Sequence, residues 1–338
     1  MSWYTTEGNR PHHVIYTQTK YIRNLSSLAF ASPDLKQLEC EMQKIDKVMT
    51  ENGFKRENIP NGVCPLALSL AEKGFVGAEF CRTENIRALY LNEPCNLAVS
   101  VGEEELITIR SILSGLAVSE SKNIAAGAEE LLDGEFEFAY SDRYGYLSSS
   151  PRNIGSGTEL SALLYLPALS VSRRIEGIRE TCGSIGARLC QAFSHKDNAG
   201  HLYKLSYIPK HTADEEREVA LFSSLVEKII DCEKDLERII FSGQNKIIID
   251  RAMRAVGILS YATLISEEEL LSLLSDIRLS LALGAELDVV KIDCVKLGEI
   301  LAECLNASVI AGSSLPCTDL EECNAFRAER IKEILCNK

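Results

Sequence analysis

An α+β unit followed by an all-helical unit is the fold class this sequence predicts. Three observations carry it. Strand-like alternation and aromatic runs are confined to the residues before 242. A Ser, Gly, Pro and Asn loop at 148–158 separates two of those runs. From residue 247 onward the chain holds four successive segments of helical periodicity and no strand signal. The predicted division is therefore a domain over 1–242 and a helical domain over 247–338, which suits 338 residues at about 150 residues per domain.

In chain order, a helix is predicted over 33–53, because Leu35, Leu38, Met42, Ile45 and Met49 step by three and four and Asn52-Gly53 forms a stop. A strand over 96–101 places Leu97, Val99 and Val101 on one face. Residues 136–147 fit a strand turning at Asp142-Arg143, and a second apolar strand follows over 162–167. Thr212-Ala213-Asp214-Glu215 has the form of a capping box. The long helix it opens carries Phe222, Leu225, Ile229, Cys232, Leu236 and Ile239 as a core stripe. A linker over 241–246 breaks at Ser242-Gly243. Helices are then predicted over 247–264, 266–283 (Ser266 as N-cap, Glu269 at N3), 288–305 and 319–336. In 266–283 the apolar residues Leu270, Leu271, Leu273, Leu274, Ile277 and Leu279 exceed one helix face, which demands a helical partner in cis or in trans.

The net charge of −13 disfavours nonspecific nucleic-acid binding, which needs a cationic surface. A phosphoryl ligand would need a local cluster of Arg or Lys. Twelve cysteines without a C-x-x-C spacing read as small buried residues and free thiols of a reducing compartment rather than a disulfide framework or zinc site. The N-terminus has no apolar signal-like region. The longest apolar stretch, 160–171, is broken by Pro167 and is too short to cross a bilayer. The expected location is cytoplasmic, without membrane contact.

Six segments then follow one order. Residues 14–25, V-I-Y-T-Q-T-K-Y-I-R-N-L, resemble V-V-L-S-T-R-V-R-L-A-R-N-L. Residues 101–109, V-G-E-E-E-L-I-T-I, resemble V-N-E-E-D-H-L-R-I. Residues 144–161, Y-G-Y-L-S-S-S-P-R-N-I-G-S-G-T-E-L-S, resemble G-Y-L-T-A-C-P-T-N-V-G-T-G-L-R-A-S, and 164–169 resemble L-H-L-P-A-L. In the tail, 254–259 resemble R-S-Y-G-I-L, and L-S-D-I-R-L at 274–279 matches L-S-D-L-R-L. Together they resemble the bacterial protein-arginine kinase (McsB) branch of the ATP:guanidino phosphotransferase, or phosphagen kinase, superfamily. The resemblance implies an antiparallel sheet flanked by helices, followed by a helical dimerisation and phosphoarginine-reading domain.

Transfer of a phosphoryl group to a guanidinium is largely positioning and charge neutralisation, and the superfamily cradles the nucleotide phosphates with arginines. By the resemblance, two of these fall on Gln18 and Lys20, one on Thr108, and one on Glu159, a charge reversal. The fifth has no clear counterpart, with Arg188 as a stand-in. The family's catalytic Glu in that segment falls near Ser194, and its Cys on Ser150. Glu104 or Glu105 is the expected guanidinium-binding carboxylate; the alternative is that 103–105 form a solvated turn. Lys20, Arg152, Arg188, Asn153, Gly155 and Gly157 are the expected nucleotide-binding residues, although the glycines also fit a purely backbone role. His195 and His201 read as structural or solvated. In the tail, Arg327 stands where the family reads phosphoarginine; a helix-surface role is the alternative.

Two functions follow from the resemblance. One is a pseudokinase that works as a regulatory or scaffold protein, a homodimer in contact with a catalytic kinase paralogue or a quality-control protease. The other is an active, diverged kinase using ATP and Mg2+ on protein arginines. The loss of phosphate arginines favours the first, since removing one charge clamp costs ~100-fold or more in rate.

Overall fold

The computed structural model describes residues 2–30, 34–82, 86–193, 199–209, 214–285, 292–313 and 319–336. Its strands are β1 (Val14–Arg23), β2 (Lys55–Glu57), β3 (Ala88–Leu91), β4 (Leu97–Val101), β5 (Ile107–Ser114), β6 (Tyr140–Ser141), β7 (Gly145–Tyr146), β8 (Thr158–Tyr165), β9 (Ala187–Gln191) and β10 (Leu202–Tyr207). Its helices are α1 (Leu35–Glu51), α2 (Pro65–Glu72), α3 (Ala78–Arg82), α4 (Val118–Asp133), α5 (Pro167–Val171), α6 (Ile175–Ser184) and α7 (Glu215–Ile240), then α8 (Asn245–Tyr261), α9 (Glu267–Ala282), α10 (Cys294–Glu303), α11 (Asn306–Ser313) and α12 (Leu320–Cys336). Eight strands form one antiparallel sheet in the order β2-β3-β4-β5-β1-β8-β10-β9, as the α+β expectation requires.

The two faces of this sheet differ, and β8 shows why. Its residues alternate. Leu160, Ala162 and Leu164 turn to one side and pack with α6 and α7, where Cys182, Phe222, Val226 and Ile230 close a buried cluster. Toward β3–β5 the same side is covered by α1 and α4 through Met42, Ile45, Ala125 and Leu132. Glu159, Ser161, Leu163 and Tyr165 turn to the other side. There Leu163 and Tyr165 join a cluster with α2, α8, α9, α10 and α12. The Tyr165 hydroxyl donates to Ser275 O at 2.8 Å. The polar end of β8 is left facing a cavity.

Local signals explain most elements. The Asp34 side chain accepts from the N–H groups of Lys36 and Gln37 and starts α1, whose buried face is Leu38, Met42, Ile45 and Met49. Leu35, expected on that face, is exposed because it lies in the unpacked first turn; Pro33 lies outside the described residues. Ser266 caps α9 as predicted, accepting from Glu269 N at 3.2 Å. All six apolar residues predicted to overfill α9 are buried, so the helical partner they demand is supplied within the chain.

Other expectations are corrected. The capping-box threonine, Thr212, lies outside the described residues; the α7 cap is Asp214, which accepts from Arg217 N at 3.1 Å. The buried stripe of α7 is rotated from the predicted one, so Cys232 and Ile239 are exposed and Glu233 and Glu237 are buried. Apolar counting misses two buried carboxylates that carry structural bonds. Glu233 accepts from Ala168 N (2.5 Å) and Leu169 N (2.9 Å), and Glu237 faces His13 Nε2 at 3.1 Å. The predicted strand at 136–147 is only the two-residue hairpin β6–β7. The segment predicted as one helix over 288–305 is α10, with α11 as a further helix; residues 286–291 lie outside the described ones. The described cysteines are free thiols. Among the described residues no helix is long and apolar enough to cross a membrane.

Candidate active site

The open part of the sheet's second face floors a cavity of about 910 Å³, walled by α2, α10 and α11. Register decides what stands on the floor. Lys20 on β1 lies opposite Glu159 on β8 and Arg110 on β5. Gln18, two residues earlier, lies opposite Ser161, which in turn lies opposite Ser206 on β10, and Ser206 opposite Arg188 on β9. Lys204 precedes Ser206 by two and shares its face. Opposed residues share a face in an antiparallel pair, so these side chains form one polar patch.

The patch is largely neutralised from within. Lys20 forms an ion pair with Glu159, the residue at the charge-reversed position. Burial pushes the Glu159 carboxyl up, but Lys20 and Lys204 outweigh it and hold the group below its ordinary value. Arg110 grips Glu103 with both terminal nitrogens, at 2.5 and 2.7 Å, and both side chains are buried. Burial opposes ionisation of Glu103, yet Arg110 and Ser100 more than compensate. Gln18 Nε2 is spent on Gly74 O at 2.8 Å. Thr108 is buried between Ile22 and Ser100 on neighbouring strands.

The acidic run is not a solvated turn, because the side chains of Glu103 and Glu105 are buried. Glu103 sits behind two cavity-lining residues, Arg110 and Gly77, and accepts from Gly77 N at 3.2 Å. Glu104 is exposed and paired with Arg152 at 2.7 Å, so one residue expected to be catalytic and one expected to bind nucleotide satisfy each other. Glu105 anchors the 148–158 loop. It accepts from Asn24 Nδ2 (2.6 Å), Ser149 Oγ (2.7 Å), Ser150 N (3.2 Å) and the Ser148 hydroxyl. Burial raises its pKa, but these hydrogen bonds prevail and lower it.

The same loop is fixed from the other side by Arg23, a fully buried side chain. Its Nε donates to Glu129 at 2.5 Å and its Nη1 to Ile22 O (2.7 Å) and Gly157 O (3.0 Å). Gly157 has φ +56°, and a Cβ there would stand 2.6 Å from Arg23 Nη1; Gly155 has φ +118°. Gly157 is thus required by backbone geometry and packing, and Gly155 by backbone geometry. Asn153 is buried, and its Nδ2 has no hydrogen-bond partner among the described residues. Asn153, Gly155, Gly157, Arg152, Glu104 and Glu105 all stand outside the cavity, whereas Lys20 and Arg188 line it.

Arg327 is not on a helix surface. It is fully buried on α12, donating to Cys304 O (2.8 Å), Ile265 O (2.7 Å) and Asn324 Oδ1 (2.7 Å), and to Asn306. His201 sits at φ +50° with Nδ1 3.0 Å from Ser170 Oγ, a structural position. Ser194 and His195 lie outside the described residues. Two floor cations escaped sequence reading, Arg110 and Lys204. The available signal was strand alternation: Tyr203, Leu205 and Tyr207 alternate with Lys204 and Ser206, and Arg110 follows Thr108 on the same face.

With this geometry in hand, comparison with known proteins is direct. Residues 66–236 match the family "ATP:guanido phosphotransferase, C-terminal catalytic domain", and residues 245–338 match "Protein-arginine kinase McsB C-terminal domain". A protein-arginine kinase of Syntrophomonas wolfei is 30% identical over 349 residues, covering 99% of this chain and 95% of its own length. One from Symbiobacterium thermophilum is 28% identical, covering 87% of this chain and 86% of its own length. Among solved structures, a lombricine kinase superposes with a TM-score of 0.55 at 17% identity, covering 69% of each chain. The duplicated taurocyamine kinase of Schistosoma mansoni gives 0.56 at 18% identity, covering 72% of this chain and 35% of its own.

Proposed function

We propose, from the premise that this chain belongs to the ATP:guanido phosphotransferase family in its protein-arginine kinase branch, that it is a pseudokinase acting as a regulatory or scaffold protein. The observation that carries this reading is the Lys20–Glu159 ion pair, seated where the resemblance places two phosphate arginines. A phosphate clamp must present uncompensated positive charge to about four negative charges of a nucleotide triphosphate. Here Lys20 and Arg110 are each already matched by a carboxylate. Magnesium–ATP therefore does not fit this donor set, and no transfer step is derived through it. The protein would act through contacts, as a homodimer and with a catalytic kinase paralogue or a quality-control protease.

The second reading, an active diverged kinase, is favoured by one observation: Lys20, Arg110, Arg188 and Lys204 still share the cavity. Labelled Mg–ATP incubated with casein or free arginine separates the two. The pseudokinase reading expects no acid-labile phosphoarginine above background. Robust transfer, abolished by Glu104→Gln or Glu103→Gln, would overturn it.

A further inference from the structure

The charge on the cavity floor can be counted. Four cations line it: Lys20, Arg110, Arg188 and Lys204. Glu159 neutralises Lys20 and Glu103 neutralises Arg110, which leaves 4 − 2 = 2 positive charges. Those two are Lys204 and Arg188, neither of which is within salt-bridge distance of a carboxylate among the described residues, although Glu159 acts on Lys204 at longer range and burial lowers the Lys204 pKa; Arg188 Nε meets Cys190 Sγ at 3.2 Å. They are diagonal neighbours on adjacent strands, since Arg188 opposes Ser206 and Lys204 is two residues away on the same face. At that spacing, one small anionic group can touch both.

The cavity around this pair is also lined by aliphatic side chains. Leu163 on β8 opposes Lys204 on the floor, Leu68 comes from α2, Leu301 from α10 and Leu305 from the turn before α11. Glu72, a carboxylate that also lines the cavity, is occupied in capping α11, accepting from Ala307 N and Ser308 N at 2.9 Å each. A cavity with aliphatic walls and a small, fixed polar group selects an amphipathic ligand. Two positive charges suit a single small anionic group, and the aliphatic lining suits a hydrocarbon body rather than a string of phosphates.

We infer that this cavity binds a small aliphatic carboxylate, its carboxylate bridging Lys204 and Arg188 and its hydrocarbon body against Leu68, Leu163, Leu301 and Leu305. The inference deepens the pseudokinase reading and rests on it, because the former nucleotide cleft becomes a sensor site for a different anion. Glu159 gives selectivity: it repels any larger anion that extends along β8 toward Lys20.

The protein carries its own reporter. Trp3 is the only tryptophan in the sequence, and it lines the cavity. Octanoate titrated into the full-length protein should shift Trp3 emission saturably. 1-Octanol, with the same body and no charge, should bind at least fivefold more weakly. Lys204→Met should weaken octanoate at least fivefold and leave octanol unchanged, and Arg188→Gln, at the sheet edge, should do the same if the first variant folds poorly. The inference is overturned if octanoate gives no saturable shift, if octanol binds as well, if both variants bind octanoate like the wild type, or if AMP displaces octanoate at equal concentration. Failure of octanoate with phosphotransfer also absent removes this inference alone. Phosphoarginine formation removes the pseudokinase reading whatever octanoate does.

Discussion

Replacing Glu159 by Arg should restore nucleotide binding more than any other single change. The wild-type carboxylate is about one-fifth exposed and paired with Lys20, and Lys204 and Arg110 also act on it. A unit charge ~4 Å from a phosphate oxygen is worth about 4 kcal/mol at an effective dielectric of ~20. Solvent and Lys20 screen part of that, leaving about 1.5–3 kcal/mol, or roughly 10–100-fold in Kd. Glu159→Gln, which removes the charge without reversing it, should give about half the gain in free energy. The Arg variant also gathers five cations on one patch and removes a carboxylate from it, so its unfolding midpoint should fall without ligand and recover as Mg–ATP is added. Glu135→Arg is the control, with equal change in net charge at an exposed site outside this cavity. Calorimetric titration of Mg–ATP into the three variants and the wild type reads all of this. Equal gains from Glu159→Arg and Glu135→Arg would mean that net charge, not the β1–β8 pairing, governs binding. Micromolar affinity in the wild type would show that the Lys20–Glu159 pair does not block the cleft.

Three further outcomes are expected. Arg327→Ala should lower unfolding free energy by about 2–4 kcal/mol in urea titration, since it strands the buried Cys304 and Ile265 carbonyls; an unchanged midpoint would refute a structural role. Burial pushes the Glu233 carboxyl from an ordinary 4.5 to about 8, only partly offset by the Leu169 and Ala168 N–H groups. The folded state therefore holds that proton more tightly than the unfolded chain, so this contribution is complete below pH 4.5 and is lost as pH rises through about 8. Glu233→Gln should flatten the fall of unfolding free energy, read by urea titration, between pH 5 and 8.5 by up to about 5 kcal/mol, and an unaltered pH slope refutes the assignment. Finally, α8 exposes Ile247 (61%) and Tyr261 (84%), and with α9 satisfied in cis this face is the expected two-fold contact. Light scattering at micromolar concentration should give a dimer for the wild type and a monomer for Tyr261→Glu, and a monomeric wild type would refute it.

The sequence by itself determined the order of elements wherever a local rule sufficed. Periodicity placed α1, α8, α9 and α12 to within a few residues; Ser266 declared its helix by capping, and Leu97–Val101 its strand by alternation. Motif order was enough for the family, and the charge reversal at Glu159 is visible in the chain alone.

What only the tertiary structure decided was the partner of each charged group. A strand pattern gives the face of Lys20 but not that Glu159 and Arg110 flank it, because register is set by pairing between residues far apart in the chain. For the same reason Glu103, Glu104 and Glu105, adjacent in sequence, go to three destinations: Arg110, Arg152 and the loop at 148–150. Arg327 fits a helix-surface cation on paper, and nothing in the chain alone marks Arg23 as buried. Each is buried because backbone carbonyls and side-chain oxygens brought from other segments replace the water its guanidinium would lose. Composition and spacing report what a side chain could bind; burial and register, which are products of the whole fold, decide what it does bind.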